Sequence, residues 1–184
     1  MQSMSESANG MTPFLDGALR WVYGEDPPPL CSSCGYDWSI TPADALTLIA
    51  SSYQRFEAAL AGRNGMVEQA DGSWNASAYL WHLTDLARSW TERWVQISES
   101  PGSLLIGWDP DELADTRSYR LLPTSPGLWA LRSAVDTFVE VTDTVTFDTP
   151  FEHGDWGMGN VGDGLRWLGH EFFHHETDVI ARAD

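Results

Sequence analysis

The sequence has 184 residues, of which 42% are hydrophobic, and this is enough for one domain with a substantial core. Its 27 acidic and 10 basic residues give a formal net charge of −17, which argues against nucleic acid as a partner because binding phosphates requires a basic surface. All ten basic residues are arginine, so a Schiff-base lysine and a GxxxxGK[ST] phosphate-binding loop are excluded.

The sequence contains no sign of export or membrane insertion. It lacks a run of about 18 apolar residues, which a membrane-spanning helix would need. Residues 1–10 are polar and lack the basic and apolar regions of a signal peptide. We therefore expect a cytoplasmic protein with no membrane partner.

The first 40 residues are predicted to be irregular. They contain three consecutive prolines, Pro27 to Pro29, which prevent a regular helix there. Cys31 and Cys34 follow in a CxxC motif. We therefore divide the chain into an irregular segment, 1–40, and a helical domain, 41–184.

Three helices are predicted in the first half of the helical domain. Thr41 followed by proline predicts a helix to about Leu60, with apolar residues at helical spacing on one face. A second helix is predicted from about Asn75 to about Ile97. Asp109 followed by proline begins a short helix that should end before Pro123.

The second half of the chain contains two more long helices. Ser125 followed by proline begins a helix predicted to end at about Thr142. Residues 142–149 favour a strand or an extended loop, and the glycine-rich segment 152–160 favours a loop. The last helix is predicted from about Val161 to the end. Four long helices indicate an all-α four-helix bundle.

Three histidines form a candidate metal site. His170 and His174 are four residues apart on the last helix, so both imidazoles can reach one metal ion. His82 lies between apolar residues on the second helix, which directs it inward. We therefore predict a divalent metal bound by these three residues. The alternatives are that His82 is an ordinary core histidine and that the other two belong to a polar cap.

The last helix also satisfies HExxH, the zinc-protease pattern in which the glutamate acts as the general base. That pattern requires a third ligand downstream, and only His175, Glu176 and Asp178 follow as candidates. His175 points about 100° away from its neighbour on a helix. Its pairing with Glu171, four residues earlier, is therefore interpreted as an interaction on the helix surface, and the protease hypothesis is disfavoured.

Four further side chains are candidates for the surroundings of the metal. Asp178 and Asp85 could each orient a ligand histidine, or be ordinary solvated carboxylates. Trp81 and Trp167 lie next to ligand histidines in the sequence and could form walls of a pocket.

The CxxC motif leaves three possibilities open. Cys31 and Cys34 could provide half of a zinc site, form a redox-active disulfide, or remain free thiols. A closed zinc site needs four ligands, so His153 or a second chain would have to supply the others.

Two segments together resemble the DinB/YfiT-like superfamily. WNASAYLWHL, residues 74–83, resembles the WSxxExxxHL motif of that superfamily, although Ala78 replaces its glutamate. LGHEFFHHETDVI, residues 168–180, resembles the closing HExxHHxxDI helix. The CSSCGYD segment around the two cysteines is similar to a CPxCGFD stretch in some actinobacterial DinB-like proteins.

This resemblance implies an up-down-down-up four-helix bundle, a metal on His82, His170 and His174, and a homodimer. Zinc is the metal expected first, with nickel or iron as alternatives. Relatives include thiol-dependent transferases and a mycothiol-dependent maleylpyruvate isomerase. The expected function is therefore metal-dependent transfer of a low-molecular-weight thiol to a small electrophile, or a related hydrolase or isomerase reaction. The alternative is a non-catalytic bundle that binds a metal or a small molecule.

Overall fold

The computed structural model describes residues 29–183; residues 1–28 of the predicted irregular segment lie outside this range. Six α-helices and three short strands follow one another along the described chain. The helices are α1 (Pro42–Ala50), α2 (Ser52–Leu60), α3 (Ala76–Glu99), α4 (Pro110–Thr116), α5 (Thr124–Thr142) and α6 (Val161–Arg182). The strands are β1 (Leu104–Leu105), β2 (Pro150–His153) and β3 (Gly157–Asn160).

The helices begin at or close to their predicted first residues. The side chains of Thr41, Asn75 and Asp109 each accept a hydrogen bond from a backbone N–H in the first turn of the following helix. Asn160 and Asp163 form a reciprocal capping box at the start of α6. The four long helices of the all-α bundle are confirmed, with α1 and α2 together forming the first.

The first predicted helix is divided at Ser51. The ψ angle of this residue is 1°, outside the helical range, and its hydroxyl donates to the carbonyl of Thr47 at 2.9 Å. A serine that bonds back to the preceding turn bends a helix, so α1 and α2 form one bent segment.

A small sheet replaces part of the predicted loop at 152–160. β2 and β3 form an antiparallel hairpin, and β1 pairs in parallel with β2. Phe151 and His153 are buried whereas Pro150 and Glu152 are exposed, an alternation that favours a strand with one face on the core. The loop prediction was wrong because it was based on the glycine content of residues 152–160, although the short alternation of buried and exposed residues favours a strand.

Helices α3 and α6 approach closely at an aromatic core. Trp90 and Trp94 of α3 are fully buried against Phe138 and Phe151. A Cβ atom at Gly164 would lie 2.7 Å from the Trp94 ring, so only glycine permits this approach. Large buried aromatic rings contribute strongly to stability, and here they also fix the distance between the helices that carry His82 and His170.

Residues 29–40 cover the side of α6 that faces away from this core. Cys31, Tyr36 and Trp38 form a second buried cluster there. The Tyr36 hydroxyl donates to the carbonyl of Arg166 at 2.7 Å, and the Arg166 guanidinium donates to the carbonyl of Ile40 at 2.8 Å. The CxxC segment is therefore held against the last helix. Within residues 29–183, no helix is long and apolar enough to cross a membrane.

Candidate metal centre

The rotation of α6 decides which of its side chains meet α3. Its fully buried residues Leu165, Leu168, Phe172 and Val179 form one stripe. At about 100° per residue, His175 lies about 50° from the middle of that stripe and Glu171 about 90°. By the same estimate, the side chains of residues 170 and 174 lie roughly 150–170° away. The two adjacent i,i+4 pairs therefore point to different sides of α6.

The first group of possible metal ligands is His82, Glu171 and His175, whose ligand atoms all lie within 4.8 Å of one another. His175 Nε2 and Glu171 Oε2 are 3.5 Å apart. Two nitrogen or oxygen ligands on one tetrahedral zinc ion would be separated by about 3.4 Å. The spacing of these donors therefore fits a metal ion between them.

His82 provides an independent test of that fit. It is 4% exposed, and its Nδ1 is buried with no hydrogen-bond partner. Burial, followed by the charge of His175, lowers the pKa of His82 to about 4, so its ring is neutral near pH 7. Metal ligation requires neutral imidazole, and a buried ring nitrogen without a partner is costly unless a ligand such as a metal ion satisfies it.

The second group is Cys31, Cys34, His170 and His174, whose ligand atoms also lie within 4.8 Å of one another. Cys31 Sγ is 3.4 Å from His170 Nε2. Cys31 and Cys34 are not joined by a disulfide bond. Burial raises the pKa of Cys34 to about 11, so this thiol is protonated near pH 7 unless a cation binds it.

Two carboxylates each lie between a histidine of one group and a histidine of the other. Glu171 Oε1 is 3.3 Å from His170 Nδ1, and its Oε2 faces His175. Asp178 Oδ2 is 2.9 Å from His175 Nδ1 and 3.7 Å from His174 Nε2. Asp178 thus occupies the position from which a carboxylate orients a metal-ligating histidine.

These carboxylates also make the site favourable for a cation. Burial would lower the pKa of His175, but hydrogen bonds to Asp178 and Glu171 outweigh it and raise the pKa to about 9. Burial would likewise raise the pKa of Glu171, but hydrogen bonds from His170 and His175 hold it well below its usual range. The same negative charge that stabilises a proton on His175 stabilises a metal ion in its place.

The first group faces a cavity of about 600 Å³, within the range of small-molecule sites. Five tryptophans line it: Trp38, Trp74, Trp108, Trp156 and Trp167. The ring centroids of Trp74 and Trp108 lie 5.3 Å and 5.9 Å, respectively, from the centroid of the His82 ring. The possible metal ligands therefore lie at the wall of a largely aromatic pocket.

Arg93 and His153 also line the cavity, together with Asp109, Asp111 and Asp155. Arg93 lies over the Trp90 ring and donates to the carbonyl of Ile106 at 2.7 Å. His153 stacks on Trp156 with ring centroids 3.8 Å apart. Burial, followed by the charge of Arg93, lowers the pKa of His153 to about 4.

The structure separates the three histidines of the predicted metal site. His82 belongs to the first group, whereas His170 and His174 belong to the second. Among the described residues, no group of close ligand atoms contains all three. The cause is the rotation of α6, which turns His175 rather than His174 toward α3. Within the HExxH pattern, Glu171 belongs to the group that contains His82, although it also contacts His170 at 3.3 Å.

The other predicted site residues are distributed as follows. Trp167 lines the cavity, whereas Trp81 donates to the carbonyl of Pro123 and packs away from the cavity. Asp85 accepts from the Tyr119 hydroxyl at 2.6 Å and pairs with Arg88 and Arg117, so its partners in the described chain are not histidines. Asp85 therefore ties α3 to the segment that follows α4.

Glu171 and His175 were missed as partners of His82 because two i,i+4 pairs overlap in one helix. The i,i+4 spacing of His170 and His174, or of Glu171 and His175, would by itself allow both side chains to bind one metal ion. The apolar stripe of α6 was the available signal, because it places His175 nearest the core.

Comparisons with known proteins define the fold. No family model matches the sequence, and no curated protein matches it significantly. A solved structure, YfiT from Bacillus subtilis, aligns with a TM-score of 0.65 and 16% identity, covering 85% of this chain and 92% of YfiT. That structure is described as a probable metal-dependent hydrolase with an unusual four-helix bundle topology. The predicted DinB/YfiT-like bundle is therefore confirmed at the level of the fold.

Proposed function

We propose that this protein is a metal-dependent enzyme acting on a small molecule, with the metal held by His82, Glu171 and His175. The observation that carries the proposal is the convergence of these three donors at the wall of the 600 Å³ aromatic cavity. Three protein ligands leave a coordination position open, as in catalytic rather than structural sites. All three come from one chain, so a homodimer is not needed to complete the group.

The reaction that we propose is transfer of a low-molecular-weight thiol to a small electrophile. A metal ion bound here would lower the pKa of a thiol or a water molecule so that it becomes a nucleophile near neutral pH. Asp178, hydrogen-bonded to His175 Nδ1, holds that ring in one orientation and one tautomer. The tryptophans around the cavity bind the apolar part of a substrate and displace water from it.

Hydrolysis is the second candidate, favoured by the description of YfiT. The same site would then activate water instead of a thiol. The third candidate is a non-catalytic bundle that binds a metal or a small molecule. In that case, the protein should be fully occupied by metal and should form no product. Zinc fits the nitrogen and oxygen donors, and nickel and iron accept the same ligands.

Single variants of the three ligands test the proposal. His82→Ala, Glu171→Ala and His175→Ala should each lose the cavity metal and lower any thiol-transfer or hydrolytic activity by orders of magnitude. Thr177→Ala is the matched control, because Thr177 is exposed on the same helix. Metal content is measured by elemental analysis, and activity with a panel of thiols and electrophilic or ester substrates.

The pattern among these variants identifies the ligand set. A loss of the cavity metal in His174→Ala but not in His175→Ala would favour the originally predicted histidines over the proposed group. Turnover that persists after complete metal removal would contradict metal-dependent catalysis.

A further inference from the structure

We propose that Cys31, Cys34, His170 and His174 form a second metal site, a structural zinc site that fastens the N-terminal segment to α6. It shares no ligand with the proposed cavity metal, although His170 also lines the cavity. The inference does not depend on the enzymatic function proposed above.

The donor set and its spacing match a Cys₂His₂ zinc site. Cys31 and Cys34 are separated by two residues and His170 and His174 by three, as in such sites. Sulfur and nitrogen ligands of one tetrahedral zinc ion would be about 3.6 Å apart. The observed distance between Cys31 Sγ and His170 Nε2 is 3.4 Å, so these donors are already spaced for a shared ion.

The backbone around the cysteines forms a tight turn that presents both sulfurs to α6. Gly35 N–H donates to the carbonyl of Cys31 at 2.7 Å, and Cys31 N–H donates to the carbonyl of Tyr36 at 2.8 Å. Gly35 has a φ of 78°, which a residue with a side chain rarely adopts. The bridge between Leu30 and Asp37 joins the two ends of this turn, and the Trp38 N–H donates to the carbonyl of Pro29 at 3.0 Å.

Each histidine of the group has one nitrogen beside a carboxylate and the other available to a metal. His170 Nδ1 lies 3.3 Å from Glu171, while its Nε2 faces Cys31. His174 Nε2 lies 3.7 Å from Asp178, while its Nδ1 is buried with no hydrogen-bond partner. A buried polar atom without a partner is costly, and carboxylates behind ligand histidines are usual at zinc sites.

Four protein ligands leave no open position, so this ion would be structural. It would join residues more than 130 positions apart in the sequence. It would also hold Trp38, which stacks on His170 at 4.5 Å and forms part of the cavity wall. The second site thereby fixes one side of the pocket next to the first.

Cobalt substitution and zinc analysis of the full chain test this inference. The wild-type protein should bind two ions per chain, and its Co²⁺ form should show thiolate-to-metal charge-transfer absorption. Cys31→Ser/Cys34→Ser should lose one ion and that absorption. The matched control, His82→Ala/His175→Ala, should lose the other ion and keep the absorption, so failure of either site is seen separately.

A measurement on the unmodified protein covers the case in which the cysteine variants do not fold. A thiol-specific mercurial should release one zinc ion per chain from the wild-type protein. The inference is overturned if wild-type Co²⁺ protein lacks thiolate absorption, or if the mercurial modifies both thiols without releasing zinc.

Discussion

Replacing Glu171 with glutamine separates the roles of this side chain at the two proposed metal sites. Its carboxylate oxygens lie 3.3 Å from His170 Nδ1 and 3.5 Å from His175 Nε2. Glutamine keeps the shape but removes the negative charge. At the Cys/His site, Glu171 only supports His170, so affinity should fall about 10- to 100-fold, or about 1.4–2.7 kcal/mol. At the cavity site it is a ligand, so the loss should exceed about 100-fold.

Competition with a chromophoric chelator measures the affinity of the cavity site, while thiolate absorption of the Co²⁺ protein reports the Cys/His site. Glu176→Gln is the control, because Glu176 is on the same helix, pairs with Arg55 at 2.7 Å and belongs to neither group. Unchanged affinity at the cavity site, or a larger loss at the Cys/His site, would refute this assignment of Glu171.

Three further predictions follow from the same contacts. Asp178→Asn should lower affinity for the cavity metal about 10- to 100-fold by releasing the His175 ring, measured by chelator competition, and an unchanged affinity would deny the orienting role. The pKa of His153 is about 4 when folded against an ordinary value of 6.5. Its contribution to the free energy of unfolding, up to about 3 kcal/mol, is therefore present above pH 6.5 and lost as pH falls toward 4. In denaturant titrations of metal-free protein, the free energy of unfolding of His153→Gln should depend less steeply on pH over that range than that of the wild type. An identical pH dependence in the two proteins would contradict the low pKa of His153. Gly169→Ala places a Cβ atom 2.7 Å from the Tyr36 hydroxyl, so the N-terminal segment should become more accessible to limited proteolysis; wild-type protection would show that the contact is not needed.

The helices could be predicted from the sequence because their starting signals are local. Thr41 caps the helix that it was expected to cap, and Asn75 and Asp109 cap the helices predicted to begin beside them, through bonds to residues two or three positions away. Such contacts depend on neighbouring residues alone. The resemblance to the DinB/YfiT-like superfamily then supplied the connectivity of the four long helices, and the structural comparison confirms the four-helix-bundle fold.

The composition of the metal groups depends on contacts that are distant in the sequence. His170 and His174 share a helix with Glu171 and His175, and the helical spacing of the two pairs is identical. Their separation depends on how α6 is rotated against α3, which the buried tryptophans and Gly164 determine. The approach of the CxxC turn to α6 likewise rests on packing across more than 130 residues.

Anomalous diffraction at the zinc edge from crystals of the full chain tests the central claim most directly. The account predicts a peak about 2.0–2.2 Å from donor atoms of His82, Glu171 and His175. A peak joining His82 to His170 and His174, or no peak beside His82 in zinc-loaded protein, would contradict it.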